Sequence, residues 1–222
     1  MPQQLSFDLP SVPALDRADF MVAPSNAMAL AMIENWRSWT GRKMVLSGPE
    51  GAGKSHLAHV WASLSGAKIC LATDVTEDNV PTLAQRSVAI EDVPQIAQNP
   101  QAQTALFHLH NLVLAEGHSL LITGKGAPAH WGLTLPDLAS RIAGTQMATL
   151  DPPDDALLAA VLAKLFADRQ LTPKPEVISY IVLRVDRSFA AARTLVAALD
   201  AASLAQKRPI TKALAASVLD KL

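Results

Sequence analysis

The sequence predicts an α/β fold: a parallel five-stranded sheet flanked by helices, followed by a small α-helical domain. Three observations carry that expectation. Five short apolar runs alternate with segments of helical periodicity, the pattern of strands joined by crossover helices. A glycine-rich loop lies between the first run and the next helical pattern. After Pro152 and Pro153 the strand pattern stops, and apolar residues recur at helical spacing.

Residues 1–19 read as an extended tail. Pro2, Pro10 and Pro13 lack the backbone N–H that a helix interior or a sheet ladder needs. A polar tail of this kind needs a surface to lie on. Ser25 is expected to cap a first helix, with Met28, Ile33 and Trp36 at roughly helical spacing. Strands are expected at 44–46, 68–72, 88–90, 119–123 and 146–150. The third is closed by Glu91 and Asp92. Leu106, Leu109, His110 and Val113 fit a helix between the third and fourth strands. Beyond the double proline, Leu157, Leu158, Val161, Leu162 and Leu165 form an amphipathic helix capped near Asp154. Three more helices are expected at 176–184, 188–202 and 211–222. The run 177–185 also reads as a strand.

Composition narrows the function. The 222 residues carry 19 Lys+Arg against 20 Asp+Glu, a net charge of −1, so the chain does not hold DNA by bulk charge. Half the residues are apolar and 18% are charged, which excludes a disordered charged tail. Cys70 is the only cysteine, so no intrachain disulfide forms. With no leader pattern at the start, a reducing cytoplasm is the expected location. The longest uncharged run, residues 93–115, contains four Gln, two Asn, two His and two Pro, too many polar groups for a bilayer. His56, His59, His108 and His110 lack the ligand set of a zinc site. Trp36, Trp39, Trp61 and Trp131 are too scattered for a base-stacking platform.

The loop carries the chemistry. Gly48, Pro49, Glu50, Gly51, Ala52, Gly53, Lys54 and Ser55 fit G-x-x-x-x-G-K-[ST] between a strand and a helix. Glycines let successive N–H groups turn toward phosphate oxygens, and the following helix presents its positive end there. Lys54 would reach the β- and γ-phosphates, and the Ser55 hydroxyl would ligate Mg²⁺. Glu91 and Asp92, two acids at a strand end, suit Mg²⁺ and water positioning. They also read as solvated strand-end acids. Thr123 could sense a γ-phosphate through water, or be ordinary strand-end polarity. Arg141 could serve its own site, reach a neighbour's nucleotide, or sit in a surface salt bridge. A small-molecule kinase would need an acceptor pocket, and only Asp92 offers itself as a base.

Taken in this order, these pieces resemble the AAA+ module of the DnaA replication-initiator family, from about residue 20 to the end of the chain. Residues 20–26, with Val22 and Pro24, resemble the family's nucleotide-base segment. Residues 53–57, with His56, resemble its P-loop helix start. Residues 137–141 resemble the box that carries the arginine finger, here Arg141. The resemblance implies a tail at 1–19, an AAA+ nucleotide-binding domain at 20–151 and a helical lid at 152–222. It implies ADP or ATP with Mg²⁺ as ligands.

The tail holds Gln4, Leu5, Phe7 and Leu9, a pattern that resembles the sliding-clamp-binding peptide: glutamine for a polar notch, apolar side chains for a pocket. A clamp peptide before a DnaA-like module, in a chain that ends where the lid is expected to end, resembles the regulatory branch of the family. That implies a clamp-held, ADP-bound protein that meets DNA only through the clamp and promotes ATP hydrolysis by the DnaA initiator. A homodimer or larger homo-oligomer is also open, as is a stand-alone DnaA-like ATPase acting as initiation factor or helicase loader. Three departures stand out. Glu91 replaces the family's usual Asp, and its extra methylene moves the carboxylate about a bond length outward. The lid's sensor arginine falls on or near Ala190, leaving Arg187 or Arg193 to substitute. Ala23 stands where glycine is usual. The first two argue for weak or absent self-hydrolysis.

Overall fold

The computed structural model describes residues 15–221. Gln4, Leu5, Phe7 and Leu9, and the clamp-peptide expectation resting on them, lie outside the described residues. Within them the fold class matches expectation. Five strands, β1 (Lys43–Ser47), β2 (Lys68–Leu71), β3 (Val88–Glu91), β4 (Leu120–Gly124) and β5 (Met147–Thr149), form one sheet in the order β2-β3-β4-β1-β5. Every pairing is parallel, with Leu46 opposite both Thr123 and Ala148.

Parallel strands buried on both faces need helices on both sides, and the alternation along β1 shows how that is met. Val45 points into one apolar cluster and its neighbours Met44 and Leu46 into the other. On the Val45 face lie α3 (Val80–Leu83), α4 (Pro100–Ala115) and α5 (Pro136–Ala143), contributing Leu83, Leu106, Leu109, Val113, Leu138 and Ile142. On the other face lie α1 (Ala27–Glu34) and α2 (Lys54–Ser65), with Ile33, Leu57 and Trp61 at the contact. Trp61 stacks on Trp39 at 5.2 Å and meets Trp36 edge-on at 6.4 Å. The scattered tryptophans are therefore mostly core.

After β5 come α6 (Asp155–Ala167), α7 (Pro175–Val182), α8 (Phe189–Gln206) and α9 (Lys212–Leu219). They surround a third apolar cluster built on Leu158, Leu162, Phe166, Ile181, Leu195, Leu199 and Leu214. Asp154 caps α6 by accepting from Leu157 N–H at 2.7 Å, as expected. Ser188 and Thr211 cap α8 and α9 in the same way. The ambiguous run at 177–185 is helical as far as Val182 and forms no strand: Pro175 sits in the first turn, where its missing N–H costs nothing. Ser25 does not cap α1. The N-cap position belongs to Asn26, which turns back instead, accepting from Ala23 N–H and donating to Met21 O, both at 2.9 Å. No helix among the described residues is long and apolar enough to cross a membrane.

Candidate nucleotide-binding site

The strand ends assemble the site. Gly48 to Gly53 leave the C-terminal end of β1 and enter α2. The end of β3 brings Glu91 and Asp92, and the end of β4 brings Thr123. Gly51 and Gly53 have φ of +70° and +101°, left-handed values that other residues adopt at a cost. α2 starts without a side-chain cap, and its first backbone bond runs from Leu57 N–H to Gly53 O. The N–H groups of Lys54, Ser55 and His56 therefore point out of the helix end, where an anion is favoured.

Lys54 is only 9% exposed, and its ammonium donates to Gly48 O at 3.0 Å and Pro49 O at 2.9 Å. Burial lowers its pKa, opposed by the nearby Asp92, Glu50 and Glu91 carboxylates. The ammonium thus stands among the loop's own carbonyls, a place that phosphate oxygens would compete for. Ser55 is exposed beside it. Glu91 is half-buried, and its Oε1 is buried with no hydrogen-bond partner. An orphaned carboxylate oxygen calls for a donor or a cation. No cluster of three or more His, Cys, Asp or Glu among the described residues could hold a metal alone. The donor set of Ser55 and Glu91 fits Mg²⁺, which keeps few protein ligands and takes phosphate oxygens for the rest.

Thr123 closes the end of β4. It is 1% exposed, and its Oγ1 accepts from Asp92 N–H at 3.1 Å. The hydroxyl ties the end of β4 to the end of β3 rather than facing solvent. Asp92 needs that tie, because it holds a left-handed φ of +54°.

Two aromatic rings close on the loop. A Cβ built on Gly53 would lie 3.3 Å from Phe189 Cε2 and 3.8 Å from Phe20 Cε2. Phe20 meets the His56 ring edge-on at 5.1 Å, and His56 Nε2 donates to Asp16 O at 3.0 Å. Burial lowers the His56 pKa. Val22, 54% exposed, and Pro24, also exposed, lie on the same N-terminal segment as Phe20. Lys164 of α6 bonds Asp19 at 2.7 Å, which pulls the Asp19 pKa down and the Lys164 pKa up.

The start of α8 rests on the loop. Phe189 N–H donates to Gly51 O at 2.8 Å, and a Cβ on Gly51 would lie 2.7 Å from Ser188 Cβ and 3.2 Å from Ala190 Cβ. Ala190 therefore abuts the phosphate loop, and it brings no charge. Of the two arginines expected to substitute, Arg187 is paired with Asp155 at 2.8 Å. Arg193 is exposed one turn further along α8. Ser188 and Phe189 were not among the candidate site residues, while Phe20 opens the segment 20–26 that resembles the family's nucleotide-base segment. A cap signal marks Ser188, but nothing local in the sequence ties it to Gly51.

Arg141 is not brought to this site. It is exposed in the last turn of α5, and its carbonyl accepts from Lys43 Nζ at 3.1 Å. Lys43 begins β1, and the phosphate loop follows its other end. Five residues of strand put the two ends roughly 13 Å apart.

This arrangement defines a P-loop module with the AAA+ fold. Domain III of the DnaA replication initiator from Thermotoga maritima matches with a TM-score of 0.81 at 20% identity, over 96% of this chain and 98% of that one. A DnaA bound to AMPPCP and single-stranded DNA matches at TM-score 0.68 and 17% identity, covering 88% of this chain and 69% of that one. The Thermotoga maritima RuvB Holliday-junction branch-migration motor matches at 0.67 and 16%, over 87% and 66%. No protein-family model matches the chain. At these identities the likeness is one of fold.

Proposed function

We propose that this chain regulates chromosomal replication initiation. In this reading it is a nucleotide-bound AAA+ protein, favouring ADP, that docks on the DNA sliding clamp and stimulates ATP hydrolysis by the DnaA initiator. The reading makes it similar to Hda, the regulatory inactivator of DnaA. The observation that carries it is the separation of Arg141 from the chain's own phosphate loop, at opposite ends of β1. An exposed arginine out of reach of its own nucleotide is suited to another molecule's.

Each residue then has a part. Loop N–H groups and Lys54 hold the phosphates, while Phe20, His56 and Phe189 enclose the loop, with Val22, Pro24 and Arg193 bordering the nucleotide. Ser55 and Glu91 would hold Mg²⁺, which would supply neutralisation of the phosphate charge. Asp92, steadied by Thr123, orients water. Intrinsic hydrolysis is weak or absent, because the lid meets the loop through Ala190 and a backbone N–H rather than a cation. Arg141 enters the initiator's site and stabilises charge in the transition state, an effect worth about 10³–10⁵ in rate elsewhere. Gln4, Leu5, Phe7 and Leu9 bind the clamp, and DNA is met only through it. The balanced net charge of −1 agrees. The protein acts in the cytoplasm.

The two acids Glu91 and Asp92 near the Lys54 ammonium favour a second reading, a stand-alone DnaA-like ATPase that loads or initiates as a homo-oligomer. One experiment separates the two: ATP hydrolysis by DnaA on clamp-loaded DNA, with and without this protein and ADP. Stimulation that disappears when the clamp is omitted, or with Gln4→Ala and Leu5→Ala together, supports the regulatory reading. No stimulation, with turnover by the protein alone, supports the other.

A further inference from the structure

The end of β1 away from the phosphate loop holds a cluster of side chains around Arg141, and the proposed function gives a part to Arg141 alone. Lys43 Nζ donates to Arg141 O at 3.1 Å and lies 3.4 Å from His110 Nε2. Thr145 Oγ1 donates to the same Arg141 carbonyl at 2.8 Å. The Arg141 guanidinium lies 5.1 Å over the Phe107 ring. Among the described residues, neither Lys43 nor Arg141 has a carboxylate partner.

That is a costly place for an ammonium. Burial and the Arg141 charge both lower the Lys43 pKa. His110, 1% exposed on α4, cannot offset this as an anion, and it is held neutral with a pKa pushed down to about 4 by burial. Its Nδ1 faces Asn111 Oδ1 at 3.3 Å, so Nδ1 is the donor there and the Nε2 lone pair is left facing Lys43. A plain apolar side chain would pack at position 43 without these costs. What the ammonium adds is a fixed point on the carbonyl end of α5, where the helix dipole favours positive charge. Backbone and guanidinium of Arg141 are then each held: one by Lys43 and Thr145, the other by the face of Phe107.

We propose that Lys43 is a positioning residue for Arg141, with His110 and Phe107 completing the mount, so that the guanidinium is presented pre-aligned to a phosphate of a partner's nucleotide. This rests on reading Arg141 as a finger that acts in another molecule's site. Misplacing such a group by about 1 Å costs on the order of 100-fold in rate.

The test uses the full chain with ADP, clamp-loaded DNA and ATP-bound initiator. Lys43→Met lowers the maximal stimulated rate about 10- to 100-fold. It leaves ADP affinity and the half-saturating concentration unchanged, which separates positioning from docking. Lys43→Arg, which keeps a donor near the carbonyl, restores most of the rate. If Lys43→Met loses ADP binding through misfolding, Thr145→Val deletes the second donor on the same carbonyl and lowers the maximal rate by a smaller factor. Wild-type stimulation by Lys43→Met, when Arg141→Ala has none, overturns this inference alone, as does a raised half-saturating concentration at full maximal rate. Wild-type stimulation by Arg141→Ala overturns the finger reading itself.

Discussion

The two ends of β1 each hold a lysine, and the two environments are opposite. At the C-terminal end Lys54 is ringed by Glu50, Glu91 and Asp92, which raise its pKa against burial. The start of α8 lies over the loop through Phe189 and Gly51. At the N-terminal end the charge facing Lys43 is Arg141, which lowers its pKa further. Arg141 itself is exposed. The first arrangement suits holding an anion and a cation inside the protein. The second suits offering a cation to something outside it. Under the proposed function, the two ends of one sheet separate binding from donation.

The covered end is the more sensitive of the two to substitution. Gly51→Val places a β-branched residue at a φ of +70°, with its Cβ 2.7 Å from Ser188 Cβ. Nucleotide binding, read by calorimetry, is expected to be lost and the α8 contact displaced. Lys54→Ala is gentler, because it removes charge-assisted bonds without strain. A loss of about 2–3 kcal/mol weakens nucleotide binding roughly 30- to 150-fold. Neither change touches the Lys43 cluster.

The open end is sharpened by pH. Burial holds His110 at about 4 in the folded protein, below its usual 6.5. Between those values the unfolded chain binds a proton that the folded chain refuses, so stability falls as pH drops from 6.5 toward 4. The loss is about 2 kcal/mol by pH 4, discounted for partial solvent access. Urea midpoints of wild type and His110→Gln, followed over that range, should show the steeper acid decline in wild type only. Equal slopes would mean His110 titrates normally.

The smallest effect concerns Asp19 and Lys164. Asp19 has a lowered pKa and Lys164 a raised one. Their mutual stabilisation is present above the usual Asp range and below the usual Lys range. It is lost as pH falls through the depressed Asp19 value. Asp19→Asn should cost little at neutral pH, and added salt should erase the difference.

Much of the covered end was legible in the sequence, because its signals are local. The loop spacing, the strand before it and the acids closing 88–90 are contiguous features that need no tertiary knowledge. The sheet was legible because strands buried on both faces read as continuous apolar runs. The cap at Ser25 failed because Asn26 beside it took the turn with two side-chain bonds of its own. The bond from Asp92 N–H to Thr123 Oγ1 was not legible, because strand-end polarity does not show whether a hydroxyl faces solvent or a neighbouring strand. The contact of Phe189 with Gly51 joins distant parts of the chain, and no periodicity reports it. The same holds for Lys43 and Arg141, which are 98 residues apart. Lys43 lies just before the strand expected at 44–46, and only packing brings it to the Arg141 carbonyl.

The proposed division of labour between the two ends is tested most directly by single-turnover hydrolysis of ATP preloaded on the DnaA initiator. The reaction is started with clamp-loaded DNA and either wild-type protein or Arg141→Ala, each shown to bind ADP equally. Arg141→Ala is expected to leave the initiator at its unstimulated rate while wild type accelerates it. Acceleration by Arg141→Ala at the wild-type rate would contradict it.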